Sequence, residues 1–259
     1  MKNILNKDFQ SKNKMKLVSI TWSYEPQFDY KNTILYKSFI KNNVEGDFIN
    51  VHFNRHDYID LEKEFESRYS YQFEFILYKI FLLKDKLKMV DDDVIVYCDT
   101  NDVVCLDNIN NLKYTDGIIF SSEMNKYPND NSSWSPVSSY SEWNLKNSFY
   151  LNSGLIVTTK ELYLNLLETV IDNVLPLNYK NFGGDQGIYT YYYINNLIPK
   201  IKLDETCNHF LSTYLTSRSW FENENGRLRH KITNTLPMFV HDNGWNYGSP
   251  RIIEGFNLI

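Results

Sequence analysis

Short apolar runs alternate with helical stripes along this chain. Leu17-Val18-Ser19-Ile20-Thr21-Trp22 predicts a first strand, and a polar turn then leads into a helix ending near Ile40. Phe48 to Phe53 predicts a second strand. From Phe73 to Met89 the apolar positions Phe73, Ile76, Leu77, Ile80, Phe81, Leu83 and Leu87 fall close to helical spacing. The β-branched run Val94-Ile95-Val96-Tyr97-Cys98 is too short to cross a membrane and predicts a strand buried on both faces, as in the middle of a parallel sheet. Further strands are expected at Gly117 to Ser121, around Leu155-Ile156-Val157, near Lys200 to Leu203 and at Met238 to Val240. Helices are expected from Lys160 to about Asn173 and from Asp185 to Asn195. Such alternation indicates an α/β fold with a largely parallel sheet. It reads as a single domain over residues 16–259, behind a loose leader at residues 1–15. From Ser122 to Asn147 the chain is polar and aperiodic and holds Trp134, Tyr140 and Trp143. Structureless stretches of this length are lids, binding loops or disordered segments, and the aromatics favour a lid facing a substrate.

The candidate chemistry begins where the fourth apolar run stops. Asp99-Thr100-Asn101-Asp102 places two carboxylates i, i+3 at a strand exit, where open α/β sheets collect their ligands. Two acids leaving a buried strand together repel unless a cation lies between them. Hard oxygen ligands suit Mg²⁺ or Mn²⁺. The bland alternative is a strand ending in a solvated Asp-Asn turn. Near the far end, His241-Asp242-Asn243-Gly244 follows the run Leu236 to Val240. His241 there is either a surface residue or the third member of an Asp/Asp/His set, a mixed shell that favours Mn²⁺ over Mg²⁺. Asn243-Gly244 is a turn dipeptide able to offer backbone N–H groups to phosphate oxygens.

Composition narrows the picture. At 259 residues, with 42% hydrophobic and 16% aromatic content, the chain has ample material for a core. A net charge of −5 argues against nucleic acid as the main partner. Lys84, Lys86 and Lys88 read as the solvated face of a helix. Alanine is absent, so the helices must draw on tertiary packing rather than propensity. No signal-peptide h-region or membrane-spanning stretch is visible. Cys98, Cys105 and Cys207 lack C-x-x-C spacing and read as reduced thiols, which places the protein in the cytoplasm of its own or a host cell. The sequon at Asn131 reads as chance.

Five motifs in order resemble a GT-A glycosyltransferase, and most the N-terminal glycosyltransferase domain of the procollagen lysyl hydroxylases: Asp99-Thr100-Asn101-Asp102, Phe120-Ser121-Ser122-Glu123, Leu151-Asn152-Ser153-Gly154, Asp185-Gln186, and Leu236-Pro237 with His241-Asp242-Asn243-Gly244. The resemblance covers roughly residues 16 to 247. It implies a GT-A-type, Rossmann-like sheet flanked by helices. The implied activity is that of a procollagen galactosylhydroxylysine glucosyltransferase, which passes glucose from UDP-glucose to galactosyl-hydroxylysine of a collagen-like protein, with retention. Carried over, Asp99, Asp102 and His241 would be the manganese ligands of this DxD-type site. Glu123 would face the acceptor or donor sugar, unless it is a solvated loop carboxylate. Asn152, Ser153 and Gly154 would approach the donor sugar, unless they form an ordinary turn. Asp185, blandly a helix N-cap, would lie beside the donor sugar with Gln186.

The chain also departs from the relatives. Asn181-Phe182-Gly183-Gly184 replaces most of an acidic run before Asp185, and Tyr127 stands where the family has a gating Trp. Asn101 replaces the aromatic residue that stacks on uracil, so base recognition would pass partly to Thr21 and Trp22. Lys79 is either a phosphate partner or, more simply, a solvated helix lysine. Neither an H-x-D pair nor a hydroxylase domain is visible, so no oxygenase activity is expected. Two other readings stay open: a UDP-hexose transferase acting on another glycan or protein acceptor, and a non-catalytic nucleotide-sugar-binding module.

Overall fold

Met15–Ser23 forms strand β1, whose alternate residues enter two different cores: Val18 and Ile20 on one face, Met15 and Leu17 on the other. A strand with this period of two and no polar face belongs in the middle of a layered fold. The computed structural model describes residues 15–23, 28–54, 63, 75–91, 94–123, 150–173, 185–198, 200–214, 216–243 and 252–258. After β1 come α1 (Ile34–Asn42), β2 (Phe48–Asn54), α2 (Phe75–Lys88), β3 (Val94–Asp99), β4 (Val103–Cys105), β5 (Ile118–Glu123) and β6 (Tyr150–Thr159). There follow α3 (Lys160–Asn173), α4 (Asp185–Ile194), β7 (Ile201–Asp204), β8 (Phe210–Ser212), β9 (Phe221–Glu224), β10 (Arg227–His230), β11 (Phe239–His241) and α5 (Ile252–Gly255). Of the expected leader at residues 1–15, residues 1–14 lie outside the described residues and Met15 opens β1. Of the expected lid at Ser122 to Asn147, residues 124–147 with Tyr127 and the sequon lie outside them, and Ser122 and Glu123 end β5. Residues 181–184 and Gly244 also lie outside.

The central sheet has the order β2-β1-β3-β6-β5-β7. Only β6 runs against the others, pairing antiparallel with both β3 and β5, so the sheet is mostly parallel as expected. On one face, Ile95, Tyr97, Phe120 and Ile156 pack against Ile80, Leu83 and Leu87 of α2, Tyr163, Leu166 and Leu167 of α3, and Ile188 and Tyr189 of α4. On the other, Val96, Leu155 and Val157 meet Leu35, Tyr36 and Phe39 of α1.

A second sheet, β4-β11-β8, lies beyond that face and was not expected; the expected strand at Met238 to Val240 belongs to it as β11. Its residues alternate in the same way. Val103, Phe210 and Phe239 face the central sheet, while Val104, Leu211 and Val240 face a third cluster containing Phe221, Leu228, Ile252 and Ile253. The segment after β3 therefore passes from one sheet to the other within four residues, carrying Asp99 on the first and Asp102 at the edge of the second.

Candidate active site

Three strand ends and one helix start meet here. β3 ends at Asp99, and Cys98 pairs with Leu155, which brings Gly154 of β6 beside Asp99. β11 pairs antiparallel with β4, His241 opposite Val103, and the Asp242 N–H donates to the Asp102 carbonyl at 2.8 Å. That pairing places the His241 imidazole next to Asp102, with Nε2 3.2 Å from Oδ1. Between Phe120 and Ser121 the register with β6 jumps, so Asn152 rather than Leu155 lies opposite Ser121. Such a bulge re-aims side chains, and here Asn152 and Glu123 meet.

Gly154 is where a side chain is forbidden. A Cβ there would lie 2.2 Å from His241 Cε1 and 2.9 Å from Asp99 Oδ2. The close approach that glycine permits is thus between the imidazole and the Asp99 carboxylate. Asn152, Ser153 and Gly154 belong to the interior of β6 and are buried, which corrects the reading of a turn.

Lys79 corrects its expectation most sharply. It is 7% exposed, not solvated, and its Nζ stands 2.7 Å from Asp185 Oδ2 and 3.3 Å from Asp99 Oδ1. The Asp185 contact is close but poorly aligned for a hydrogen bond, so charge rather than direction holds it. Burial works against the Lys79 charge, but Asp185 and Asp99 together outweigh it and hold its pKa above the ordinary range. Tyr97, missed from the sequence, donates its hydroxyl to Asp99 Oδ1 at 2.6 Å. It sits two residues before Asp99 on the same strand face, a spacing that could have revealed it. Asp185 opens α4 and accepts from the Gln186 N–H at 3.0 Å, so it serves the helix start as well as Lys79.

Glu123 is a buried residue of β5, not a loop carboxylate. Its Oε1 accepts from the Asn152 amide, from Asn243 Nδ2 at 2.6 Å and stands 3.2 Å from the Ser212 hydroxyl, while Oε2 has no hydrogen-bond partner among the described residues. Burial pushes its pKa up from 4.5 to about 6 against these donors. In the metal-free protein, folded Glu123 holds its proton where the unfolded chain has lost it. Stability should therefore fall by about 2 kcal/mol as pH rises from below 4.5 through 6, and level off above. Urea titrations in EDTA across this window should show that slope, and Glu123→Gln should flatten it; an unchanged slope in the variant would assign it to other groups.

The remaining expected residues scatter. Thr21 is buried, its hydroxyl 2.6 Å from Asn50 Oδ1 and 3.2 Å from Thr100 Oγ1, so it closes the strand end rather than facing a base. The Trp22 side chain lies outside the described residues, and Asn101 is exposed. Gln186 Oε1 takes the Ser153 N–H at 3.3 Å, tying α4 to β6. Lys84 and Lys86 are half-buried and Lys88 is exposed, so the solvated lysine face holds only for the last.

His241 is fully enclosed. Burial opposes its charge, but Asp102, with Asp99 and Glu123 behind it, outweighs burial and raises its pKa. Among the described residues no three His, Cys, Asp or Glu side chains stand close enough to hold a metal ion as they are. Asp99 is turned to Lys79 and Tyr97, and Asp102 closes on His241. The chemistry of the set still fits a divalent cation: two carboxylates and an imidazole nitrogen aimed at a carboxylate, packed around a glycine that leaves them room.

No curated protein matches the chain in sequence. Its fold is similar to that of mouse xyloside xylosyltransferase 1 in the apo form, at 14% identity and a TM-score of 0.50 over 91% of this chain and 99% of that one. It is also similar to a glycosyltransferase involved in glycosylation of the major capsid of PBCV-1, at 11% identity and a TM-score of 0.49 over 94% and 100%. The model of the PLOD GT domain family matches residues 74–248, more than half of the chain, and Lys79, Asp99, Asp102, Glu123, Asn152, Asp185 and His241 all lie inside that span. The chain belongs to the PLOD GT domain family, and it is a nucleotide-sugar glycosyltransferase of the GT-A type.

Proposed function

We propose that this glycosyltransferase is Mn²⁺-dependent and passes glucose from UDP-glucose to galactosyl-hydroxylysine of a collagen-like protein, retaining the α-configuration. What carries the reading is that Asp99 at the end of β3, Asp102 just before β4 and His241 at the end of β11 converge inside the matched span, with His241 paired to Asp102 and both His241 and Asp99 beside Gly154. Those three would hold the ion. Bound there, Mn²⁺ would neutralise the diphosphate and stabilise UDP as it leaves.

The chain's own groups then divide the remaining work. Lys79 fixes Asp185 at the start of α4, and Asn152 and Gln186 tie that helix to the bulged strand β6. A carboxylate paired with a buried ammonium 2.7 Å away is a poor nucleophile, which favours front-face displacement over a covalent intermediate. In that step the bond from the sugar C1 to the phosphate oxygen breaks as the acceptor oxygen bonds to C1. The acceptor proton passes to the leaving phosphate. Three buried free cysteines support a reducing, cytoplasmic location.

The test is UDP release across a panel of UDP-sugars, with Mn²⁺ or EDTA, and with galactosyl-hydroxylysine peptides or simple saccharides as acceptors. UDP-glucose with the peptide and Mn²⁺ should give the fastest release, and the product should show an α-linkage by NMR. Release confined to another acceptor would keep the transferase and replace the collagen reading. UDP binding by calorimetry with no release under any condition would favour a binding module.

A further inference from the structure

Asn152 lies among groups whose hydrogen-bonding roles leave it no freedom. Its Oδ1 is 2.9 Å from the Gly154 backbone nitrogen, which can only donate. The oxygen must therefore face Gly154, and the amide cannot be the other way round. The Nδ2 end points at Glu123 Oε1 and, at 3.4 Å, at Gln186 Oε1. The second lone pair of Oδ1 meets His241 Nδ1 at 3.0 Å. A ring nitrogen facing a carbonyl oxygen at that distance carries hydrogen. The neutral ring has only one hydrogen to place, so Nε2 keeps its lone pair, aimed at Asp102 Oδ1 3.2 Å away. Two acceptors then face each other, and a cation or a proton must lie between them.

We propose that Asn152 is a positioning residue that locks His241 in its Nδ1–H tautomer, so that Nε2 is the atom presented to Asp102 and to a cation between them. Asn152, Glu123 and His241 are 2%, 1% and 4% exposed, so water does not compete for these bonds. The absence of a side chain at Gly154 is what lets the ring come so near. Outer partners of this kind set the tautomer and orientation of ligating histidines elsewhere. The proposal deepens the metal-dependent reading and rests on it only for the nature of the cation.

The tautomer can be read without metal or turnover. Long-range ¹H–¹⁵N spectra of the metal-free protein, above the pH at which the ring is neutral and with His241→Gln to assign the signals, should show His241 protonated on Nδ1. Asn152→Ala should release the ring to the Nε2–H form, whereas Asn152→Asp, which keeps an acceptor, should hold Nδ1–H. Calorimetric titration with Mn²⁺ alone should then show Asn152→Ala binding about 10- to 100-fold more weakly than wild type. An Nε2–H signal in the wild type overturns the proposal whatever the variants do, as does an unchanged tautomer in Asn152→Ala. Wild-type protein that shows Nδ1–H but binds no Mn²⁺ sinks the metal assignment and supports the positioning role.

Discussion

Asp102→Asn will fold like the wild type and lose at least about 10²–10³-fold in transfer rate, the usual cost of deleting one electrostatic stabiliser of a developing charge. The substitution keeps the side-chain shape, and the Asp102 carbonyl still accepts from the Asp242 N–H, so the junction of β4 with β11 survives. Its side chain is 29% exposed, so little desolvation is at stake in the fold. What disappears is the negative oxygen facing His241 Nε2. Asp99→Asn should lose as much activity but also stability, because Asp99 Oδ1 accepts from Tyr97 and faces Lys79. Leaving buried donors short of a charged acceptor costs about 1–3 kcal/mol. Initial rates of transfer and UDP release at saturating Mn²⁺, set beside thermal melts, separate the two effects. Full activity of Asp102→Asn, or full wild-type activity in EDTA, would remove the metal from the mechanism.

The parts of this site that the sequence displayed are those with strong local signals. The helix Lys160–Asn173 was legible in its extent: Thr159 caps it by accepting from the Leu162 N–H, and its buried residues keep helical spacing. Strand β3 and the Asp pair at its end were legible because a short run rich in β-branched residues stops abruptly at two acids spaced i, i+3. Strand β6 was misjudged at its start. Asn152, Ser153 and Gly154 are turn residues by composition, and only their partners on β5, α4 and β11 make them affordable inside a sheet. The second sheet is built of three-residue strands, too short for any periodicity to show. Ser212 reaches the site only through the pairing of β8 with β11, a contact with no local trace. Lys79 did leave a trace. It falls one turn after Ile76 and one before Leu83, inside the apolar stripe of its helix, where a solvated lysine does not belong. Its partners are remote in sequence, so the stripe could show that it was buried but not why.

A large loss of stability is expected at that position. Lys79→Met keeps an unbranched chain of similar bulk and deletes only the charge. Two carboxylates, Asp185 at 2.7 Å and Asp99 at 3.3 Å, would then face each other with the ammonium gone. The Asp185 side chain is 9% exposed, so water cannot take over. Removing one partner of a buried ion pair typically costs about 3–5 kcal/mol, chiefly for the charge left behind, while replacing both partners is often close to neutral. The double variant Lys79→Met with Asp185→Asn should therefore recover much of the loss, giving a coupling energy well above the few tenths of a kcal/mol expected of independent sites. Urea unfolding of the four proteins of this cycle, with m-values compared to confirm that each unfolds in the same way, measures it directly. A single variant within about 0.5 kcal/mol of wild type, or losses that simply add, would mean that Lys79 is not the counter-charge of this site. In that case Asp185 would keep its charge uncompensated, and front-face displacement would lose its support over a covalent intermediate.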